Sequence, residues 1–502
     1  MSSVPSGDEL SMMASYGHAP GRSDTEGPRL VLGVKIGPDV FHGVVPAVAP
    51  GEGVDVTAEN RTTPREAFRD GHIVMHVAVL ISVSASLVWL LAGAAVSVGP
   101  RLLLEILALG GWVGLMRVGR RRGLPNRLVW LGGLVLLGVA VCKVPVGSQD
   151  LWSYVMQGRM IVVHHASPYV HRPAEYATDR FVSFVPPGWR SSRSPYGPLF
   201  SLLSAVGSAG AGNSVVANRL VHQGLAAVAL CAAALLHARR GRSWAVPFLV
   251  LNPVCVAIVN GGHNDLLVGA LLVFAIDTAV RTGGRRSRAV ACGLLLAAAA
   301  LIKLTAILAA VAVVVWLVRR ADRRAGLTTA TVAVAVSGLA YAVSGGVRAL
   351  QPLLSGGSRV SRASVAGVID HVFGRALFPE TIAVAIAIGS VGVVLAHSMR
   401  WRNSDSPTPV ATALFVVFLA AAPFVLPWYS GWVLPMAAES AENSASRGAV
   451  LLSGMLFLAY TEPPGLATAG LSTVLALLPS VGALGLAGWC LQRVFRRSSA
   501  RM

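Results

Sequence analysis

Arginine-rich loops cut this chain into long apolar blocks, and that alternation limits its fold more than any other feature. Leu128–Ala140, Leu225–Leu236 and Leu304–Val318 carry almost no polar side chains. Several blocks approach the ~20 residues that cross about 30 Å of hydrocarbon. Ala, Leu, Val and Gly run through them without alternation, so the spans are helices and not barrel strands. Of the 502 residues 54% are hydrophobic and only 13% charged. Ordinary soluble domains are about a quarter charged, and one soluble core would not hide this much apolar surface. The expected fold class is all-α, a polytopic membrane helix bundle with about 13–14 transmembrane helices and long outer loops.

The net charge of +19 does not point to nucleic acid, because most Lys and Arg sit in short loops between apolar blocks, as positive-inside topology requires. The loops Arg117–Arg127, His237–Arg242, Arg281–Arg288 and Arg319–Arg324 define the cytoplasmic side. Crossings are expected near 73–98, 101–116, 128–144, 216–236, 244–259, 266–280, 289–301, 304–318, 327–343, 381–397, 411–426, 433–440, 448–460 and 472–490. Leu199–Ala209 is too short to span and reads as an interfacial or re-entrant helix. Two long loops, about 148–198 and 344–379, fall outside. Residues 1–70 are rich in Gly, Pro, Ser and acidic groups and read as a disordered cytoplasmic tail without a signal peptide. Short apolar pieces such as Leu30–Ile36 leave room there for a small ordered element. Residues 71–492 form the membrane domain and 493–502 a basic cytoplasmic tail. Cys142, Cys231, Cys255, Cys292 and Cys490 lie in or beside apolar segments with no CxxC pair, as small buried hydrophobes do.

The polar residues left at the outer ends of the helices are the candidates for chemistry. Asp150 stands just past an apolar helix in Ser148-Gln-Asp-Leu-Trp-Ser-Tyr154. It is either a helix cap or a general base toward a hydroxyl. Gly261-Gly-His-Asn-Asp265 joins two helices. Its glycines permit a tight turn and Asn264 or Asp265 can cap, but a cap does not require the imidazole of His263. Lys303 interrupts an apolar run, where an unpaired charge costs about 3 kcal/mol or more. It either snorkels to the surface or faces a carboxylate, a cavity or an anionic ligand. Arg190 and Arg193, in Trp189-Arg-Ser-Ser-Arg-Ser-Pro-Tyr-Gly-Pro198, are on the wrong side for topology signals. Arginines placed there hold either lipid headgroups or a bound phosphate. Arg348, Arg359, Arg362 and Arg375 add outer positive charge.

These motifs converge on a family. Ser148-Gln-Asp-Leu-Trp-Ser-Tyr-Val-Met-Gln-Gly-Arg-Met160, Ser167-Pro-Tyr169, Ser194-Pro-Tyr-Gly-Pro198, Leu251-Asn-Pro253, Gly261-Gly-His-Asn-Asp265 and Ile302-Lys303 resemble actinobacterial membrane mannosyltransferases of the GT-C superfamily. The α-1,6-mannosyltransferases that build lipomannan are the nearest likeness, over about residues 70–490. Ser167 stands where those enzymes often carry Asn, which leaves the acceptor open. The resemblance implies a plasma-membrane enzyme with both termini in the cytoplasm. It would transfer mannose from polyprenyl-phosphate mannose to a glycan, lipoglycan or secreted acceptor at the outer face, with inversion. It implies Asp150 as the base. Arg190, Arg193, Lys303 and His263 would steady the departing phosphate, and Tyr196 and Asp265 would line the substrate site. No cofactor is implied, and a divalent metal is compatible but not required. Another lipid-linked sugar, arabinose or glucose, and a flippase or transporter of lipid-linked sugars are the competing readings.

Overall fold

The computed structural model describes residues 30–36, 39–45, 64–122, 126–320, 322–355, 359–373, 405–440 and 443–461, with residues 475, 477–482 and 485. The chain divides into two units, Met1–Phe68 and Arg69–Met502. In the first, β1 (Leu30–Ile36) pairs antiparallel with β2 (Asp39–Val45), Val31 opposite Val44 and Val34 opposite Phe41. An ordered hairpin therefore lies within the stretch expected to be disordered, at the apolar piece where an element was left open. β-Branched residues favour that conformation.

The second unit is helical. The described helices are α1 (Pro64–Ala92, in this unit from Arg69), α2 (Val98–Arg122), α3 (Asn126–Cys142), α4 (Asp150–Val162), α5 (Pro187–Arg190) and α6 (Pro198–Ala211). Then come α7 (Val215–Arg239), α8 (Ala245–Val250), α9 (Pro253–Asn260), α10 (Asp265–Val280), α11 (Arg286–Ile302) and α12 (Ile307–Arg319). The rest are α13 (Arg323–Val343), α14 (Val347–Ser355), α15 (Val365–Phe373), α16 (Thr408–Ala421), α17 (Ser430–Ala437) and α18 (Ser444–Ala459). Leu80, Leu91, Val334, Leu339 and Val343 are apolar and exposed on α1 and α13, as on helices set in hydrocarbon.

Among the described residues four helices are long and apolar enough to span: Ile73–Ala92, Val98–Gly119, Val215–Arg239 and Arg323–Val343. Shorter apolar helices of 10–17 residues make up much of the remainder. The helical membrane bundle is as expected; among the described residues the full-length spans are fewer than the expected crossings, because several apolar stretches are broken. The 244–259 stretch is two half-helices. Leu251 ends α8, Asn252 caps α9 by accepting the Val254 N–H at 2.9 Å, and Pro253 occupies the first helical position. At Lys303 the backbone turns extended (φ −149°, ψ 120°) between α11 and a 3-10 turn. The expected crossing at 381–397, most of that at 472–490, Arg375, Cys490 and the basic tail lie outside the described residues.

The bundle has two chemically distinct ends. At one, Arg240 pairs with Asp277 (2.7 Å), Arg242 with Glu439 (3.1 Å) and Arg281 with Asp277. The Arg-rich loops after α7 and α10 meet there. The other end receives the C-terminus of α3 and the N-termini of α7 and α10, and carries the site. Between them α8 and α17 are buried along their whole length, around Phe248, Phe415 and Trp432.

Candidate active site

The last turn of α3 leaves carbonyls with no intrahelical partners. Side chains from two other helices plug it. Arg219 donates to the carbonyls of Val141 (2.9 Å) and Cys142 (3.0 Å), Gln223 to those of Ala140 (3.1 Å) and Lys143 (2.9 Å), and Asn260 to Ala140 (3.1 Å). Asn260 also accepts the Val146 N–H at 2.8 Å. These bonds fix the segment that leads into α4 and so place Asp150. Ser148 Oγ accepts the Asp150 N–H (3.2 Å), and Gln149, the residue before α4, makes no side-chain cap bond. Asp150 is therefore not acting as the cap. It is the first residue of α4 and its side chain is buried.

Burial pushes the Asp150 carboxyl up to about 6. The positive charge of Lys303 opposes that rise, the negative charge of Asp265 adds to it, and a hydrogen bond from Trp189 and the charge of Arg359 oppose it. Asp150 is thus within electrostatic reach of Lys303 and Asp265, which come from separate helix ends.

Lys303 Nζ lies 2.7 Å from Asp265 Oδ1. It also sits over the rings of Tyr429 (4.2 Å), Trp432 (4.9 Å) and Tyr196 (5.7 Å). Lys303 therefore does not snorkel; it faces a carboxylate inside an aromatic cage. Two motifs of the first long loop bring Tyr196 there. The Ser194 N–H bonds the carbonyl of Pro168 (2.9 Å), joining the two Ser-Pro-Tyr segments, and the Gly197 N–H bonds the carbonyl of Ile302 (3.1 Å). A Cβ on Gly197 would stand 2.2 Å from the Leu301 carbonyl oxygen, so only glycine lets the loop lie against the Lys303 turn.

His263 is buried, its Nδ1 3.2 Å from the Tyr154 hydroxyl and its ring stacked on Trp428 at 4.2 Å. Tyr196 in turn donates to the Tyr154 hydroxyl at 3.5 Å. Gly262, before it, has φ +63°, a left-handed conformation that glycine adopts freely.

The two arginines of the first loop part company. Arg190 donates to the carbonyls of Val185 and Ser183, both at 2.8 Å, and so braces its own loop instead of facing the others. Arg193 keeps a buried Nε without a hydrogen-bond partner. Arg359, from the second long loop, reaches Ser192 Oγ at 2.7 Å and lies over the Trp189 ring at 4.1 Å. The structure thus gathers Asp150, Tyr196, His263, Asp265 and Lys303 and turns Arg190 to its own loop, while Arg193 lies three residues before Tyr196 in the sequence. Arg359 is among the outer arginines of the sequence, whereas Tyr154, Trp189, Tyr429 and Trp432 join the site without a sequence expectation. Tyr154 had a legible signal: it lies four residues after Asp150 on one helix, hence on the same face.

Residues 62–320 match the family model described as "Alpha-(1->6)-mannopyranosyltransferase, N-terminal domain". The chain is 29% identical over 360 residues to "Alpha-(1->6)-mannopyranosyltransferase A" of Mycobacterium tuberculosis, covering 65% of this chain and 66% of that protein. It is 25% identical over 368 residues to "Alpha-(1->6)-mannopyranosyltransferase B" of Corynebacterium glutamicum, covering 64% and 60%. The matched stretches span just under two thirds of the length of these curated relatives. No solved structure matches the chain.

Proposed function

The chain belongs to the alpha-(1->6)-mannopyranosyltransferase family, and on that premise we propose that it transfers a mannosyl unit from polyprenyl-phosphate mannose to a hydroxyl of a glycan or lipoglycan acceptor at the outer face of the membrane. The observation that carries this reading is Asp150, a buried carboxyl raised to about 6 at the head of α4. A base of that strength is ionised at neutral pH and strong enough to share a hydroxyl proton in a transition state. The acceptor hydroxyl gives its proton to Asp150 as its oxygen bonds to the anomeric carbon. The bond from that carbon to the donor phosphate breaks, polyprenyl phosphate leaves with the electron pair, and the anomeric centre inverts.

The groups around Asp150 suit that step. Arg193, with its unpartnered Nε, and Arg359 supply positive charge toward the departing phosphate. Lys303 is committed to Asp265, so its role is to hold the field that keeps Asp150 a carboxylate. Phosphate is a good leaving group, and the reading requires no metal.

Asp150→Asn keeps the size of the side chain and removes its capacity to take a proton. Transfer from polyprenyl-phosphate mannose, assayed with the full chain in membranes, is expected to fall at least ~100-fold. Near-normal turnover by the variant overturns the assignment. Absence of mannosyl transfer by the unaltered chain, alongside transfer of another lipid-linked sugar, overturns the choice of donor.

A further inference from the structure

Beside the site lies a cavity of about 50 Å³ that the proposed step does not use. A buried water needs roughly 10–15 Å³ by the same measure, so the space holds about four waters, the bulk of part of a sugar ring. Ser148, which accepts the Asp150 N–H, forms one edge, and His263 and Trp428 form another. The far wall is polar where hydrocarbon-facing helices are ordinarily apolar: it carries Arg101 and Glu105, one turn apart on α2, and Thr461.

Both charged side chains are at least nine-tenths buried. Glu105 accepts the Trp89 indole N–H at 3.1 Å and the Thr461 hydroxyl. Arg101 donates to the carbonyls of Thr461, Gly93 and Val96 at 3.3 Å each, yet its Nε is buried without a partner. An unmet buried guanidinium donor is costly unless something meets it. Arg101 and Glu105 set a guanidinium donor and a carboxyl group on one wall, a pairing that suits a ligand rich in hydroxyls, which both donate and accept. The broad Trp428 ring, backed by His263 at 4.2 Å, offers the apolar plane on which the C–H face of a pyranose packs. An aromatic wall with a few fixed polar groups is the general form of a small-ligand site.

We propose that this cavity is part of an acceptor subsite, which takes the hydroxyl-bearing edge of a neutral pyranosyl unit next to the one whose hydroxyl attacks. That unit stacks on Trp428 and bonds Arg101 Nε and the Glu105 carboxyl group. The donor's anionic phosphate goes instead to the arginines of the long loops, so the two substrates meet Asp150 from different sides. The assignment rests on the proposed mannosyl transfer for the identity of the sugar.

The test uses the purified full chain and synthetic α-linked mannosides of one and two units. The acceptor KM is expected to fall about tenfold from the mono- to the dimannoside, equivalent to about 1.4 kcal/mol. Glu105→Gln, which retains an oxygen for Trp89, and Trp428→Leu should each abolish that ratio. Thermal unfolding confirms that each variant folds. Binding of the dimannoside without donor, followed by saturation-transfer NMR, should be lost in Glu105→Gln. An intact length dependence in both variants, or a raised donor KM with an unchanged acceptor ratio, overturns the subsite. A chain that binds the dimannoside through Glu105 but transfers no mannose overturns the proposed reaction and leaves the subsite standing.

Discussion

Asp150 illustrates how one residue can be useful and destabilising together. Its carboxyl is raised from 3.8 to about 6 by burial. Between those values the folded chain holds a proton that the unfolded chain has released. Stability therefore falls as pH rises through that window and stays lowered above it, by up to about 3 kcal/mol for a shift of this size. Asp150→Asn is expected to unfold at a higher temperature than the parent at pH 7.5 and at about the same temperature near pH 4. A structural cap would show the opposite sign. The parent's kcat/KM should drop on the acid side through about pH 6, since the base must be ionised. Lys303 obeys a different logic. Asp265 is fully buried and its charge is met by Lys303 at 2.7 Å. Lys303→Gln leaves that charge unpaired, a loss of roughly 3–5 kcal/mol when one partner of a buried pair is removed. The double variant with Asp265→Asn should recover much of the loss in a thermal unfolding series. A single variant that folds normally and only raises donor KM would return Lys303 to the phosphate.

Single elements decide whether those residues meet. Gly197 lets the Ser-Pro-Tyr-Gly-Pro segment lie on the Leu301–Ile302 backbone, and Gly197→Ala forces them apart because the new Cβ would stand 2.2 Å from a carbonyl oxygen. We expect a large loss of transfer. Gly224→Ala on α7 meets nothing within 4 Å and should be neutral or slightly stabilising. Equal effects of the two substitutions on transfer would remove the special role of Gly197. The apolar period of the helices was readable because each needs only its own segment. So was the turn chemistry of Gly261-Gly-His-Asn-Asp265. The broken helices were harder: in the run 244–259 only Asn252-Pro253 announces two half-helices, and the far end of the second is met by a distant residue, Gln223, which donates to the Asn260 carbonyl. Contacts between distant loops, such as Arg359 on Trp189, leave no mark in either local sequence. Arg190 and Arg193 are alike in the sequence. They differ only because the carbonyls of Val185 and Ser183 lie within reach of one of them.

Across the whole molecule the chemistry depends on which end of the bundle faces out. The Arg-rich loops after α7 and α10 gather with Asp277 and Glu439 at the end opposite Asp150. Lys and Arg in short loops stay cytoplasmic because their translocation is disfavoured, and that bias orients the bundle. On the proposed function the end with Asp150 and Arg359 faces outward, although it too is basic; Arg359 is engaged in a loop–loop contact with Ser192 and Trp189. The orientation makes a direct prediction. Ser191, in the first long loop, and Ser287, in the first turn of α11, are both exposed. Each can be changed to cysteine in a chain whose native cysteines have been replaced. A maleimide that does not cross membranes should label the Ser191→Cys chain in intact cells, and the Ser287→Cys chain only after the cells are opened. Equal labelling in intact cells would report leakage, which a cytosolic control detects. The reverse pattern would place Asp150 in the cytoplasm, where sugar nucleotides and not lipid-linked sugars are the usual donors, and the proposed reaction would have to be abandoned with the topology.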